Sequence, residues 1–217
     1  MVQLVIENLR PSQACRFIFP VLRDHLEKFD LERKLKQWAG PQTVIIPVDG
    51  TTEGAACTVL LAREVIENDE ALIIANSDQW VDCSADLFLN FSKNQDGVIM
   101  TMEGHTPEWS YVRTDQKGFV VEVAEKKVIS NTATVGIYYF KHGRDFTAAA
   151  DAMIAAKDRT HQEFYVAPVY NYMIRNQARI ITFNIGSVGN GMFSFGTPPL
   201  LEGFLKLPIS QRAALCL

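Results

Sequence analysis

Two turns in the sequence follow apolar segments and carry groups that can bind a base or a phosphate. In the first, Asp49-Gly-Thr-Thr-Glu-Gly-Ala-Ala-Cys57, a strand predicted over 43–48 leads into a helix predicted over 55–66. Gly54 would let a flat ligand lie against bare backbone, and the first N–H groups of the helix would be free to meet a base edge or a phosphate. Taken alone, the segment favours an ordinary strand-to-helix turn in which Glu53 interacts with the helix dipole.

The second turn, Asn76-Ser-Asp-Gln79, follows an apolar strand predicted over 70–75. A carboxylate at the end of a buried strand, here that of Asp78, is well placed to hold Mg²⁺ against phosphate oxygens. An aspartate in this position also commonly closes a turn. The segment alone leaves both interpretations open.

Two later segments combine charged and aromatic side chains. In Val123-Ala-Glu-Lys-Lys-Val128, Glu125 can accept hydrogen bonds from substrate hydroxyls, and a neighbouring lysine can neutralise a phosphate. The composition of this segment favours a solvated turn between strands. In Glu163-Phe-Tyr-Val-Ala-Pro168, an aromatic pair before a helix is more typical of packing than of binding.

The bulk composition argues against several functional classes. The chain has 217 residues, of which 47% are hydrophobic, and a net charge of −4, so it can bury one sizeable core and gives no electrostatic reason to expect a nucleic acid partner. Its four cysteines, Cys15, Cys57, Cys83 and Cys216, form no C-x-x-C pair, which argues against a zinc site or a disulfide framework. No apolar stretch resembles a signal peptide or a membrane span. We therefore expect a protein of the reducing cytoplasm without a membrane partner.

The order of the predicted elements indicates an α/β fold. Up to residue 94, strands over 16–21, 43–48 and 70–75 alternate with helices, and the strands are continuously apolar, as in a parallel sheet covered on both faces. Closely spaced strands over 98–102, 111–113, 120–124 and 133–140 then predict an antiparallel or mixed extension. Helices over 144–156 and 166–176, a strand over 179–184 and a helix from Pro199 follow. We predict one α/β domain over 1–217, with a mixed, mostly parallel sheet, helices on both faces and a C-terminal tail over 206–217.

In order and spacing, the segments resemble one family. The motifs are a T-E-G-A-A turn into a helix, a strand ending in Asp78, and then E-K-K, T-V-G-I-Y-Y, E-F-Y-V-A-P-V-Y-N and F-G-T-P. Up to about Leu205, the chain resembles the sugar-phosphate nucleotidyltransferases, which include the glucose-1-phosphate thymidylyl- and uridylyltransferases. It is most similar to their capsule and lipopolysaccharide branch, labelled dTDP-glucose pyrophosphorylase-like. The resemblance implies a Rossmann-like nucleotide-diphospho-sugar transferase domain that uses Mg²⁺, a nucleoside triphosphate and a phosphorylated sugar-like substrate.

The resemblance also implies roles for individual residues. Asp78 would be the metal ligand and a catalytic residue, and Lys126 a second catalytic residue that holds the substrate phosphate. The nucleotide-binding residues would be Thr52, Glu53 and Gly54. The substrate-binding residues would be Ser110, Glu125, Lys126, Thr134, Gly136, Glu163 and Tyr165.

The sequence departs from the family pattern at several places. Ser77 stands where a glycine is usual, Lys127 replaces the proline of an E-K-P motif, and Ser194 stands where many members carry a second metal-binding aspartate. The family's first strand and its G-x-G-x-R loop, followed by K-P, have no counterpart, since Met1 falls in the helix that comes after them. We therefore expect the 217-residue chain to be a poor catalyst or none, and to have open strand edges that leave room for a homo-oligomer.

The leading hypothesis is nucleotidyl transfer to a sugar phosphate, for the synthesis of surface polysaccharide precursors. Such a reaction needs positioning and charge neutralisation more than a protein nucleophile. One alternative is a nucleotide-sugar-dependent glycosyltransferase, which would need an acidic pair such as D-x-D where the chain has Asn-Ser-Asp-Gln. The other is a catalytically impaired relative that binds a sugar or a nucleotide.

Overall fold

The computed structural model describes residues 1–214, and Cys216 lies outside them. The strands are β1 (Ile18–Leu22), β2 (Val44–Val48), β3 (Leu72–Ala75), β4 (Gln79–Val81), β5 (Gly97–Glu103), β6 (Ser110–Thr114), β7 (Val120–Glu125), β8 (Thr132–Phe140), β9 (Ile180–Val188) and β10 (Gly191–Ser194). The helices are α1 (Val2–Asn8), α2 (Arg23–Phe29), α3 (Leu31–Ala39), α4 (Ala55–Leu60), α5 (Arg63–Ile66), α6 (Ala85–Ser92), α7 (Gly143–Ala155), α8 (Val169–Arg175), α9 (Pro198–Leu205) and α10 (Pro208–Ala214).

The chain forms two compact units, each with its own core. The first unit contains Met1–Gly50, Asn76–Asn90 and the residues from Ser187 onward, and the second contains Thr51–Ala75 and Phe91–Gly186. Each unit is discontinuous in sequence, which is why no linker marks a boundary between them. The single domain expected from the sequence stays a prediction.

The first unit combines a parallel strand pair with a small mixed set of strands. β1 pairs with β2 in parallel from Ile18↔Val44 to Leu22↔Val48. β10 pairs antiparallel with β4 and parallel with the last residues of β9. Its core cluster contains Val5, Trp80, Phe193, Phe195, Phe204 and Ala213.

The second unit is organised around β8. Eight of the nine residues of this strand are buried, and the strand pairs antiparallel with β3, β5 and β6, while β7 pairs with the other edge of β6. The Phe140 ring lies 5.1 Å from that of Phe146 in α7 and stacks 4.6 Å from that of Tyr170 in α8. These aromatic contacts pack both helices against β8.

A bulge interrupts the pairing of β8 with β5. Thr134 pairs with Thr101 and Tyr138 with Ile99, so three residues of β8 lie opposite one residue of β5. Gly136, in the middle of the three, has a φ of 76°, a backbone conformation that glycine adopts without steric cost. The bulge therefore shortens the distance between the residues on either side of it.

Most of the predicted elements, the α/β class and the mixed sheet are confirmed. The helix predicted over 55–66 is instead two helices, α4 and α5, separated at 61–62. The prediction missed β4 and β10, and α10 lies in the segment predicted to be a tail. At the start of α6, Ser84 Oγ accepts a hydrogen bond from the Leu87 N–H at 3.3 Å.

The described residues also bear on two expectations about the compartment. Cys15, Cys57 and Cys83 are free thiols in the structure. Between residues 1 and 214, no helix combines the length and the apolar character that a membrane crossing requires. The cytoplasmic location itself stays a prediction.

Gly143 offers a test of the packing between α5 and α7. A Cβ at this position would lie 1.8 Å from the backbone oxygen of Ile66, whereas a Cβ at Gly203 in α9 would meet nothing within 4 Å. We predict that Gly143→Ala lowers the free energy of unfolding by about 1–3 kcal/mol or more, because backbone must move. Gly203→Ala is the control and should be neutral or stabilise by up to about 1 kcal/mol. Urea denaturation of both variants measures the difference, and equal midpoints would contradict the packing at Gly143.

Candidate active site

The candidate metal ligand, Asp78, lies in the first unit directly before β4. Its carbonyl oxygen accepts a hydrogen bond from the Phe195 N–H at 2.6 Å, and the Phe195 ring packs 4.9 Å from the Phe204 ring in the core. A Cβ on Gly196 would lie 3.1 Å from Asp78 Oδ2. The aromatic core thus holds the backbone of Asp78, and its carboxylate lies beside bare glycine backbone.

Other acidic groups of the first unit are engaged differently. Asp82 forms an ion pair with Arg212, and Asp49 forms one with Arg23. Ser194, at the position of the family's second aspartate, pairs with Gln79 across β4 and β10, and its Oγ accepts a hydrogen bond from the Gly196 N–H at 3.3 Å. The position of the family's second aspartate therefore supplies a hydroxyl and no second carboxylate.

Asp78 and the backbone of Gly196 fit a Mg²⁺ ion that is held partly by the protein and partly by substrate phosphates. In the described part of the chain, no group of three or more His, Cys, Asp or Glu side chains could hold a metal ion. Mg²⁺ commonly keeps several waters and takes one or two carboxylates plus substrate phosphates. A single carboxylate beside the open backbone of Gly196 matches that donor set.

In the second unit, backbone hydrogen bonds join two segments that lie far apart in sequence. The Phe164 N–H donates to the Glu53 carbonyl at 2.8 Å, and the Ala56 N–H donates to the Phe164 carbonyl at 2.9 Å. These two hydrogen bonds hold the predicted base-recognition turn, Thr52 to Gly54, against the predicted substrate loop, Glu163 to Tyr165. We call this pair of hydrogen bonds the clamp. Sequence alone contained no sign of this contact.

The clamp also explains the glycine in the turn. Gly54 has a φ of 124°, and a Cβ there would lie 2.6 Å from both the nitrogen and the oxygen of Phe164. The close approach of the Phe164 backbone is therefore enough to require glycine at position 54, and no ligand is needed to explain it. The expectation that the first N–H groups of α4 are free is wrong for Ala56, because that donor is occupied by Phe164.

The side chains of the turn have specific partners. Thr52 Oγ1 donates to the Gly54 carbonyl at 2.9 Å and lies 2.6 Å from Thr58 Oγ1, which closes the turn onto α4. Glu53 pairs with Arg159, whose guanidinium lies 4.5 Å from the centroid of the Phe164 ring. The Glu53 carboxylate is thereby fixed at the surface of the clamp.

Lys126 and Tyr165 meet across two loops. Lys126 Nζ donates to the Tyr165 hydroxyl at 2.8 Å and lies 5.0 Å from the ring centroid. This hydrogen bond, together with Glu125 and Glu163, raises the pKa of Lys126, so the ammonium remains charged. The Tyr165 hydroxyl also hydrogen-bonds the Glu163 carboxylate, which raises the pKa of Tyr165. The exposed Lys126 ammonium and the exposed Glu163 carboxylate therefore both hydrogen-bond the Tyr165 hydroxyl.

The Glu125 carboxylate is partly buried at the end of β7. Burial raises its pKa, while a hydrogen bond from Ser110 and the charges of Lys126 and His161 act in the opposite direction. Ser110 Oγ donates to Glu125 Oε2, and the two residues are paired across β6 and β7. The carboxylate thus has one oxygen fixed by the protein and lies near Lys126, His161 and Glu163.

Three other predicted substrate-binding positions lie on β6 and β8, the two strands that follow β7 in the sheet. Ser110 is 7% exposed and Thr134 is 3% exposed, and Gly136 is the bulge residue of β8. Thr134 Oγ1 lies 3.0 Å from the hydroxyl of Tyr138. Their substrate contacts stay a prediction.

Sequence reasoning missed Arg159, His161 and Tyr138. Each is brought to the site by a contact with a residue far away in the chain or by the bulge. Tyr138 lay inside the T-V-G-I-Y-Y motif, so the motif contained a signal for it. Arg159 and His161 precede the E-F-Y motif and had none.

Comparison with known proteins supports the fold and identifies the family. A crystal structure of the nucleoside-diphosphate-sugar pyrophosphorylase from Vibrio cholerae RC9 superposes with a TM-score of 0.80 at 23% identity, covering 95% of this chain and 85% of that chain. The inositol-1-phosphate CTP transferase from T. maritima superposes with a TM-score of 0.69 at 14% identity, covering 99% and 81%. At such identities the likeness shows the fold, which confirms the Rossmann-like prediction. No curated protein matches the chain.

The sequence itself matches the Nucleotidyl transferase family over residues 1–179, which is most of the chain. The match confirms the resemblance drawn from the motifs. It also includes the clamp and the segments of Glu125, Lys126 and Tyr165. The chain therefore belongs to the Nucleotidyl transferase family of enzymes.

Proposed function

We propose that the protein transfers a nucleoside monophosphate from a nucleoside triphosphate to a sugar phosphate or a similar phosphorylated polyol, releasing pyrophosphate. The observation that supports this most strongly is the convergence of Glu125, Lys126, Glu163 and Tyr165 next to the clamped turn of the second unit. A phosphorylated sugar needs acceptors for its hydroxyls and a cation for its phosphate. This group of residues supplies both.

Each side chain has a role that its environment allows. Lys126, held by Tyr165, neutralises the substrate phosphate as a point charge. Glu125 and Glu163 accept hydrogen bonds from substrate hydroxyls. The turn of Thr52, Glu53 and Gly54 recognises the base.

The reaction requires no protein nucleophile. A phosphate oxygen of the substrate attacks the α-phosphorus in line, a new P–O bond forms, and the bond to the β-phosphate bridging oxygen breaks with pyrophosphate as leaving group. Positioning and charge stabilisation carry such reactions. Ser110 and Thr134 support this site from the neighbouring strands, because Ser110 donates to Glu125 and Thr134 lies 3.0 Å from Tyr138.

Asp78 would hold Mg²⁺, with Ser194 beside it as a weaker oxygen donor. When bound, Mg²⁺ supplies neutralisation of the negative charge on the triphosphate. The Asp78 backbone is fixed by Phe195, so the point from which the carboxylate would reach a cation is fixed as well. We further propose that the product is a precursor of surface polysaccharides made in the cytoplasm, on the basis of the motif resemblance.

The first test concerns Lys126. We predict that Lys126→Ala weakens binding of the phosphorylated substrate about tenfold or more, because a charge-assisted contact to phosphate is lost. Calorimetry with hexose 1-phosphates and inositol 1-phosphate measures the change. Nucleoside triphosphate binding should stay within about twofold, as the contact involves the other substrate.

Lys127→Ala is the matched control, because it removes the same charge one residue away. It should leave sugar-phosphate affinity nearly unchanged. Equal losses in both variants would mean that only overall charge matters. A loss for both ligands in Lys126→Ala would indicate a folding defect, and no loss for either would favour a solvated turn.

The second test concerns Asp78. Asp78→Asn keeps the shape and removes the charge, and we predict a loss of about 100-fold or more in Mg²⁺-dependent pyrophosphate release. Mg²⁺-dependent affinity for a panel of nucleoside triphosphates should fall as well. This second measurement remains informative even if turnover is slow.

Asp82→Asn is the control for Asp78, because Asp82 is paired with Arg212. It should retain most of its activity and Mg²⁺ dependence. If Asp78→Asn behaves like Asp82→Asn, Asp78 is not the metal ligand. Nucleotide and sugar-phosphate binding without turnover in the unmodified protein would favour the alternative of an impaired binding relative.

A further inference from the structure

A row of hydroxyl and carboxyl side chains crosses four strands of the second unit. Glu125 in β7 pairs with Ser110 in β6, and Thr134 in β8 pairs with Thr101 in β5. β6 and β8 pair at Tyr111↔Ala133, so extending this antiparallel register by one residue places Ser110 level with Thr134. Paired residues of a sheet share a face. The row is therefore Glu125, Ser110, Thr134 and Thr101 on one face.

Tyr138 joins this row because of the bulge at Gly136. In a regular strand, residues four apart are separated by roughly 13 Å along the chain axis. The bulge brings the Tyr138 hydroxyl to 3.0 Å from Thr134 Oγ1. Burial raises the pKa of the Tyr138 phenol, whereas the hydroxyls of Thr134 and Ser110 both lower it, so both hydroxyls act on the phenol. The phenol thus lies between the two hydroxyls.

The donors in this network can be ordered from the carboxylate outward. An ionised carboxylate only accepts, so the Ser110 hydroxyl must donate to Glu125. Because the Tyr138 phenol keeps its proton and the single Ser110 proton is used on Glu125, Ser110 is left to accept from Tyr138. Tyr138 in turn accepts from Thr134. Each hydroxyl then donates once and the chain ends on Glu125.

We propose that Tyr138, acting through Ser110, is a positioning residue that holds the Glu125 carboxylate in a single orientation for the phosphorylated substrate. The proposal rests on the proposed function in assigning Glu125 to the substrate. Ser110 engages Oε2 of the carboxylate, which directs Oε1 to a substrate hydroxyl. Ser110 and Thr134 accordingly act through Glu125 and Tyr138, although the motif resemblance had placed them in contact with the substrate.

The charge states of the network support this role. Burial raises the pKa of Tyr138 to about 12, so the phenol remains a donor at all working pH values. Burial also raises the pKa of Glu125, and the Ser110 hydrogen bond opposes that rise by stabilising the charged form. Lys126 and His161 lower the pKa of Glu125, and Glu163 raises it. Loss of the donor chain should therefore make Glu125 harder to ionise.

The test is a titration of the Glu125 carboxyl in the free protein by carbon-13 NMR, with Glu125→Gln used to assign its signal. We expect Ser110→Ala to raise the pKa of Glu125 by about 1, since a hydrogen bond to a charged group is lost. Tyr138→Phe keeps the ring and should raise this pKa by a few tenths, because it removes only the second donor in the chain. The ring signals of His161 are followed separately, so its own titration is not mistaken for that of Glu125.

Two controls remove buried hydroxyls that the proposal does not use. Tyr170→Phe deletes a buried phenol bonded to the carbonyl oxygens of Val98 and Tyr139. Thr101→Val deletes a buried hydroxyl on the same face that has no partner among the described residues. Neither should move the titration of Glu125. If Tyr138→Phe behaves like Tyr170→Phe, the positioning role is overturned.

Kinetics separate this proposal from the proposed function. Tyr138→Phe should raise KM for the phosphorylated substrate about threefold to tenfold with little change in kcat, because a ground-state contact is weakened. A shifted titration in a protein that accepts no sugar phosphate would refute the proposed function and leave the network intact. An unshifted titration in an active enzyme would refute the network alone.

Discussion

The partial burial of the Glu125 carboxylate is the constraint on which the arrangement of the second unit depends. A charged group removed from water must be compensated by hydrogen bonds and opposite charges. Ser110 from β6 supplies the hydrogen bond, Lys126 supplies the opposite charge, and His161 also lowers the pKa of the carboxyl. These partners come from three separate segments of the chain. The register of β6 and β7 and the path of the loop before Phe164 are therefore coupled to one side chain.

Much of the fold could be predicted from local patterns, and the parts that could not are short or depend on distant partners. Long apolar segments such as those of β5 and β8 were correctly predicted because their period and their flanking turns are local signals. β4 has only three residues and exists because β10, more than a hundred residues later, pairs with it. The break between α4 and α5 at 61–62 contains no proline or glycine, so no local signal marked it.

The residues of the candidate site could be proposed from sequence motifs, whereas the contacts between those residues could not be predicted. Ordered motifs identified Glu125, Lys126 and Tyr165, but no pattern shows that Lys126 and Tyr165 meet at 2.8 Å. Gly54 illustrates the limit most clearly. Sequence reasoning assigned its missing side chain to a flat ligand, and the structure shows that the backbone of Phe164 occupies the place of a Cβ. A glycine marks a close approach, but the approaching group is known only once the chain has folded. The Gly136 bulge is a similar case, since it determines which hydroxyls meet.

Three residues near Glu125 have a left-handed backbone, which determines where their side chains lie. Lys126 has a φ of 52°, and His161 and Gln162 have φ values of 47° and 70° in a two-residue turn closed by Thr160 and Glu163. A left-handed conformation costs a residue with a Cβ about 1–2 kcal/mol, and glycine would avoid that cost at each position. Strain of this kind persists only where surrounding contacts enforce it. Here the contacts are electrostatic as well as steric, because Lys126 and His161 both lower the pKa of Glu125. The left-handed backbone at Lys126 and in the His161–Gln162 turn thus brings both segments close to the Glu125 carboxylate, and the charged Lys126 ammonium is the group that a phosphate-bearing substrate would use.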